Sequence, residues 1–479
     1  MHPSLPLPPA IRSRLCGLAL LTLFAPGISR AQLPAERPGQ KPFPEDARIF
    51  ISPEGPNQPM GQGRGIFPGR VVWTQDFAAT KWDGLTGKWW EAANIDQAVA
   101  ERMLSDTLRS LTGARTDGEA WDELFRHYNQ THGRGDRGYR AGETITLKVN
   151  MNPDEKPGEW TNAGFPSPHM AYALMKQLVG QAGIPGHCIV ITDPSRPIKD
   201  MLLSKIRADT RPDYQQIVVA DREGTTAPRI LAEPDLTVPV HFDLPHADGT
   251  IEKAALYLPR VYTQADYLID YCVVRPHRVF GLTLSFKNHF GAVYNAQRKI
   301  FTPDILHCFA IWDYPTPYTH GHYNGLVPLL GHKDVGGKTV LYFAEGLYTS
   351  PNQGTGTSVV RWKTLGNRWF SSVLASQDPV ALDSVALDLI TSEPNLTTQP
   401  NGKPNPSFNG NIDGYLHEAA LADHPPSGAV YDPEADGTPL ASLGVHEHWN
   451  NPQDKKYSRN LGKGSGIELV RVGPAEPTR

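Results

Sequence analysis

The sequence predicts an α/β fold, a mostly parallel sheet with flanking helices. Three observations carry this. Short apolar, β-branched runs alternate with stretches of helical period through the first half of the chain. The second half repeats the mode, with Leu268–Val274 and Lys338–Ala344 (KTVLYFA) as strands and Asp378–Ile390 as a helix. The composition, 39% apolar and 20% charged, is that of an ordinary globular chain.

Taken in order, the chain opens on an export signal. Arg12 and Arg14 precede an apolar run, Leu15–Phe24, that is too short to span a bilayer core of about 30 Å. Pro26 and Gly27 break the run, and Ser29-Arg30-Ala31 supplies small residues for cleavage near Ala31. Residues 1–31 are therefore expected to be a signal peptide and the mature protein to be periplasmic or secreted. No adjacent arginine pair precedes the apolar run, which argues against twin-arginine export. Residues 32–66 are rich in Pro and Gly and read as an arm, with a short strand at Ala47–Ile51.

The α/β domain is expected over residues 67–395, as one large unit or two lobes. Arg70–Thr74 reads as a strand. Asn94–Leu111 reads as a helix, because Ile95, Val99, Met103, Leu104, Leu108 and Leu111 recur at helical spacing. Helix continues at 118–129, followed by a strand at Thr144–Val149. Ser167-Pro168 supplies an N-cap and a first-turn proline for a helix running to Ala182. Strands follow at His187–Thr192 and Gln216–Ala220. Residues 396–479 read as a long, loop-rich C-terminal extension with one helix at Ile412–Ala422.

Several function classes are excluded. Net charge is −4 and no basic block occurs, so nucleic acid is not an expected partner. No later segment is apolar for 18 residues, so no transmembrane segment is expected after signal removal. Without a C-x-x-C, no cysteine-bound iron–sulfur cluster is expected. Cys188, Cys272 and Cys308 remain after signal removal, an odd count that permits at most one disulfide. There is no G-x-S-x-G, GxGxxG, P-loop or H-E-x-x-H.

The chemistry concentrates in Arg275–Val293, RPHRVFGLTLSFKNHFGAV, directly after an apolar strand. Polar side chains just past the C-terminal end of a parallel strand lie where α/β sheets place ligands. His277, Lys287 and His289 are the candidate catalytic groups, since histidine and lysine there can move protons or hold an anion. Thr283 and Asn288 are candidate substrate-binding residues of the same segment. Lys148 and Asn150 lie two apart at a strand end and share a side. Asp378 is a further binding candidate, although its place before a helix also fits an N-cap. His446 and His448 project to one side of an extended segment and form a candidate divalent-metal pair; His320-Gly321-His322 has the same spacing.

These motifs resemble a bacterial family, the domain of unknown function 362. The resemblance rests on His277, Gly281-Leu282-Thr283 and Lys287-Asn288-His289-Phe290-Gly291. It extends to Thr146-Leu147-Lys148-Val149-Asn150 and to Asp378-Pro379-Val380-Ala381-Leu382-Asp383. Family members often carry a ferredoxin-like cluster, whose cysteines this chain lacks. A more distant likeness is to the lactate racemase family, through Pro276-His277, Gly281 and Lys287. It implies a lysine-borne nickel-pincer nucleotide and a proton-moving histidine. The glycine-rich run before that lysine is replaced here by LTLSF, and a chain exported unfolded would not bring so bulky a cofactor with it. The expected function is an enzyme using a His/Lys/Asn cleft for acid–base chemistry on a small polar or anionic substrate; the alternative is a non-catalytic binding protein.

Overall fold

Nine strands, each built from the apolar runs described above or from shorter ones between them, assemble into a single sheet in the computed structural model. It describes residues 52, 54–152, 162–245, 249–277, 280–302, 306, 320–352, 357–399, 402–405, 407–408 and 412–473. The signal segment, the strand expected at Ala47–Ile51 and Cys308 lie outside these residues. The strands are β1 (Arg70–Gln75), β2 (Ile145–Val149), β3 (Ile189–Asp193), β4 (Val218–Asp221), β5 (Arg229–Leu231), β6 (Tyr267–Val273), β7 (Thr339–Gly346), β8 (Ser372–Ser376) and β9 (Glu468–Val472). Their spatial order is β9-β1-β8-β7-β6-β2-β3-β4-β5. Only β8 runs against the rest; every other neighbouring pair in this sheet is parallel.

This order contains a reversal. From β2 the chain steps outward through β3, β4 and β5, then returns to lay β6 on the other side of β2 and steps outward again through β7 and β8. The carboxyl ends of β2 and β6 therefore flank a switch point, where crossovers leave in opposite directions and open a crevice.

Helices cover one face. Helix α1 (Gln97–Thr112) starts at Asp96, whose side chain accepts from Val99 N, and stops at Gly113 in the left-handed region. Helix α2 (Asp117–Thr131) begins with a Thr116–Glu119 capping box. Helix α3 (Pro168–Lys176) has Ser167 as its cap and Pro168 in its first turn. With α4 (Asp200–Ala208) these pack on Ile145, Leu147, Tyr267, Ile269 and Tyr271. The alternate residues of β6, Leu268 and Cys272, face the opposite core. That second face is covered by an antiparallel hairpin, Pro234–Pro245 with Ile251–Pro259, and by the chain from 285 onward. It includes α5 (Ser285–Asn288), α6 (Pro379–Thr391) and α7 (Gly414–Ala420).

The hairpin, β5, β8 and β9 were not legible in sequence. Pro234, Pro239 and Pro245 interrupt the hairpin's first strand and read as breakers, tolerated here because part of that strand is exposed. The C-terminal extension is largely irregular, yet it is not a loose tail. Tyr431, Trp449 and Tyr457 are buried in the second core, and β9 returns to pair with β1. Residues 46–479 form one compact unit. Among the described residues no helix is long and apolar enough to cross a membrane.

Asp378 locks this arrangement. Its fully buried carboxylate caps α6 by accepting from Ala381 N at 2.8 Å. It also accepts from Arg64 N at 2.9 Å and Val445 N at 3.2 Å, tying both ends of the chain to the helix. Removing a cap costs about 1 kcal/mol, and each buried N–H left bare costs about 1–3 kcal/mol. Asp378→Ala is expected to lower the unfolding free energy in urea by about 3 kcal/mol; a loss below about 1 kcal/mol would show that water replaces the carboxylate.

Candidate functional site at the strand switch point

Lys148, in the last turn of pleat of β2, stands opposite Asp270 of β6 in the parallel register. Both are on the sheet face away from α1–α4, and both are buried. Lys148 Nζ donates to Val149 O at 2.6 Å and to Asn288 Oδ1 at 3.2 Å, and lies 3.4 Å from Asp193 Oδ2 at the end of β3. Burial pushes the Lys148 ammonium down from its ordinary range, against the pull of Asp193 and Asp270.

Asn288 joins the two strands. Its Nδ2 donates to Lys148 O at 3.1 Å and to Asp270 Oδ1 at 2.5 Å. It is carried by α5, which is fixed to α6 by Ser285 N donating to Asp383 Oδ1 at 3.0 Å. Gly291 completes the K-N-x-x-G motif for a steric reason. A Cβ there would lie 2.4 Å from Ser195 Oγ, so any larger residue would force the Ser195 side chain to shift in the loop after β3.

Past β6 the chain forms a small hairpin, Arg275–His277 with Gly281–Thr283. Gly281 has φ 74° and a Cβ there would meet Ile412 Cβ at 2.5 Å, so both conformation and space demand glycine. Arg275 is fully buried. Its guanidinium donates to Gly164 O at 2.6 Å, Asn152 O at 2.7 Å and Asn150 Oδ1 at 3.3 Å, while Nε has no hydrogen-bond partner. Thr283 pairs with Arg275 in register, and its buried Oγ1 also lacks a partner.

Lys287 is 8% exposed and lies over the rings of Phe290 and Phe280, at 4.4 and 5.3 Å from their centroids. Burial first, then the charges of Arg275, Arg196 and Lys148, push it down to about 7. Among the described residues neither Lys287 nor Arg275 has a carboxylate in ion-pair contact, in contrast to Lys148 with Asp193.

The two histidines differ in role. His277 is 2% exposed and its Nδ1 accepts from Phe280 N at 3.3 Å, which leaves the neutral ring's proton on Nε2. His289 is wholly enclosed. Its Nδ1 meets Tyr262 Oη at 3.0 Å and its Nε2 lies 3.4 Å from Asp270 Oδ2, and among the described residues neither of those last two atoms has a hydrogen-bond partner.

The structure thus brings Lys148, Asn150, His277, Thr283, Lys287, Asn288 and His289 to one crevice. Asp378 lies apart, committed to the cap described above. His446 and His448 lie in a different cluster, with rings 4.9 Å apart. Sequence reasoning assigned no role to Arg275, Asp193 or Asp270. Each sits within or just past a strand, and a charge in such a run signalled a buried site rather than a solvated end.

The Lys148–Asp193 pair gives a test of the packing. Removing one partner of a buried pair leaves a bare charge and costs about 3–5 kcal/mol. Lys148→Met is expected to destabilise by about 3 kcal/mol, and adding Asp193→Asn is expected to recover at least about 1 kcal/mol in a double-mutant cycle. Strict additivity of the two losses would show that the charges do not sense each other.

A search of the curated proteins finds no match. The sequence profile described as Domain of unknown function (DUF362) matches residues 145–388, from the first residue of β2 to Asp388 in α6. The matched segment contains β2 to β8, the switch point and every residue of the crevice, and this chain belongs to that family.

Proposed function

We propose that this chain is an exported protein whose switch-point crevice binds a small anion and moves a proton on it. One observation carries the reading: Arg275 and Lys287 are buried cations without a carboxylate partner among the described residues. Burying uncompensated charge costs several kcal/mol, and an anionic ligand is the chemistry that offsets it. A carboxylate or phosphate group fits that demand.

In this reading Lys287 is the group that changes charge. Brought down to about 7, it is split between ammonium and amine near neutral pH, as a general acid–base group needs to be. His277, whose Nδ1 accepts from Phe280 N, stands in the same hairpin beside the bound group. Thr283 Oγ1 supplies a further hydroxyl. Lys148, Asn150, Asn288 and His289 are positioning residues: they hold β2, β6 and the hairpin in register around the bound group. Arg12, Arg14, the apolar Leu15–Phe24 and Ser29-Arg30-Ala31 support export, with cleavage near Ala31. N-terminal sequencing of protein recovered outside the cytoplasm is expected to begin near Gln32; recovery of an intact Met1 terminus would contradict export by cleavage.

The pH sign follows from Lys287. Below about 7 it is an ammonium and attracts an anion; above about 7 it is an amine and does not. Thermal unfolding with inorganic phosphate or a short dicarboxylate is expected to show a stabilisation larger at about pH 6 than at about pH 8.5, approaching about 2.7 kcal/mol at a hundredfold excess over Kd. Lys287→Met is expected to abolish the difference between the two pH values. In the unliganded protein the sign reverses. The unfolded lysine keeps its proton up to 10.5, so stability is gained as pH rises between about 7 and 10.5. No stabilisation by any anion at either pH would overturn the reading. Stabilisation without turnover of any tested acid would assign a binding protein in place of an enzyme.

A further inference from the structure

A second cluster lies outside the crevice, gathered from three distant stretches of chain. His320 comes from the segment before β7, Asp413 from the N-cap of α7 and His417 from its last turn, His446 from the short strand Val445–His446 that pairs with Met60–Gly61, and His448 from just past it. Asp413 stands at its centre. Its Oδ2 is 3.5 Å from both His417 Nε2 and His448 Nε2, and its Oδ1 is 2.5 Å from His320 Nε2. The His446 ring lies 4.9 Å from His448 and 5.0 Å from His417. The ligand atoms of Asp413, His446 and His448 all lie within 4.8 Å of one another, as do those of His320, Asp413 and His417.

These atoms converge without satisfying each other. Asp413 and His446 are fully buried and His417 is 4% exposed. Among the described residues Asp413 Oδ2, His417 Nε2 and His446 Nε2 have no hydrogen-bond partner; Asp413 Oδ2 and His417 Nε2 make ion-pair contacts instead, with each other at 3.5 Å and from His417 to Glu54 Oε2 at 3.4 Å. A buried ring nitrogen without a hydrogen bond, as at His446 Nε2, is costly. The opposite ring nitrogens, by contrast, are held. His446 Nδ1 meets Ser384 Oγ at 2.8 Å and His448 Nδ1 meets Asp388 Oδ1 at 2.6 Å. Asp388 is itself fixed by Trp449 N at 2.9 Å and Tyr457 Oη at 2.8 Å. A carboxylate behind a histidine is the arrangement that orients metal ligands and sets their tautomer.

We infer that Asp413, His446 and His448 bind one first-row divalent metal ion of the zinc class, with His417 and His320 flanking Asp413. A tetrahedral ion with bonds of about 2.1 Å keeps its ligands about 3.4 Å apart, which the 3.5 Å separation of Asp413 Oδ2 from His448 Nε2 already approaches. Two imidazoles with a single carboxylate, and two further histidines beside them, select a nitrogen-seeking ion over magnesium or calcium, which take oxygen. The family match ends at residue 388, so Asp413, His417, His446 and His448 all lie beyond it. The ion would join the cap of α7 to the His446–His448 segment, which Ser384 and Asp388 hold against α6. It would also sit near the crevice, because Ile412, next to Asp413, is the residue that packs against Gly281 of the His277 hairpin.

The test uses the full mature chain, stripped with a chelator, reloaded with Zn(II) or Co(II), freed of excess ion and assayed by elemental mass spectrometry and visible absorption. About one Zn(II) per chain is expected to be retained, and Co(II) is expected to show the intense ligand-field bands of a four-coordinate site. His446→Ala is expected to lose the ion. Ser384→Ala, which removes only the hydroxyl behind His446, is expected to weaken affinity about tenfold while leaving the fold intact. His187→Ala, at an exposed histidine elsewhere, is expected to change nothing. Failure of the wild type to retain Zn(II), or undiminished retention in folded Ser384→Ala and His446→Ala, overturns the proposal. Retention in His446→Ala with loss in Lys287→Met would place the ion in the crevice and overturn it as well.

Discussion

The carboxamide of Asn288 holds the centre of this molecule. It reaches Lys148 and Asp270 at once, donating to a backbone carbonyl of β2 and a carboxylate of β6 while accepting from the Lys148 ammonium. Those two strands are adjacent in space but arrive more than a hundred residues apart, at the place where the sheet reverses its order. A parallel pair at a switch point has no crossover of its own to set its spacing. A short turn carrying one buried amide supplies it. Because Lys287 precedes Asn288 on the same turn, whatever fixes the amide also fixes the lysine over Phe280 and Phe290.

The charges around that amide are arranged unevenly. Lys148 is balanced by Asp193, and Asp270 accepts from Asn288 through Oδ1 with His289 3.4 Å from its other oxygen. Arg275 is spent on backbone carbonyls and an amide, none of which carries a full charge. A stability argument would favour apolar residues at such positions. Keeping cations there, at the carboxyl ends of parallel strands, is the pattern expected where a ligand completes the electrostatics.

Much of this was legible in sequence, and the limits have physical causes. The alternation of apolar strands with capped helices is local, so β2, β3, β6, β7 and α1 to α3 could be placed from periodicity and caps. The K-N-x-x-G segment was legible because glycines and charges clustered just after an apolar run. The hairpin over residues 234–259 was hidden by its prolines, β8 by the serines at both its ends, and β9 by its charged residues Glu468 and Arg471. His446 and His448 stood out because a spacing of two aligns side chains in an extended segment. His320 also stood out by its H-x-H spacing, but nothing local linked it, Asp413 or His417 to a segment some thirty or more residues away. Asp378 read first as a helix cap and second as a ligand; the partners Arg64 and Val445 add a structural load that its sequence position did not show.

The account stands on an anion completing the crevice between β2 and β6. Crystals of the mature protein soaked in selenate, measured at the selenium edge near neutral pH, test this most directly. The account predicts an anomalous peak within hydrogen-bond reach of Lys287 Nζ, on the side of the hairpin that carries Arg275 and Thr283. Selenate found only on the protein surface, with Lys287 paired to a carboxylate of the protein, would contradict it.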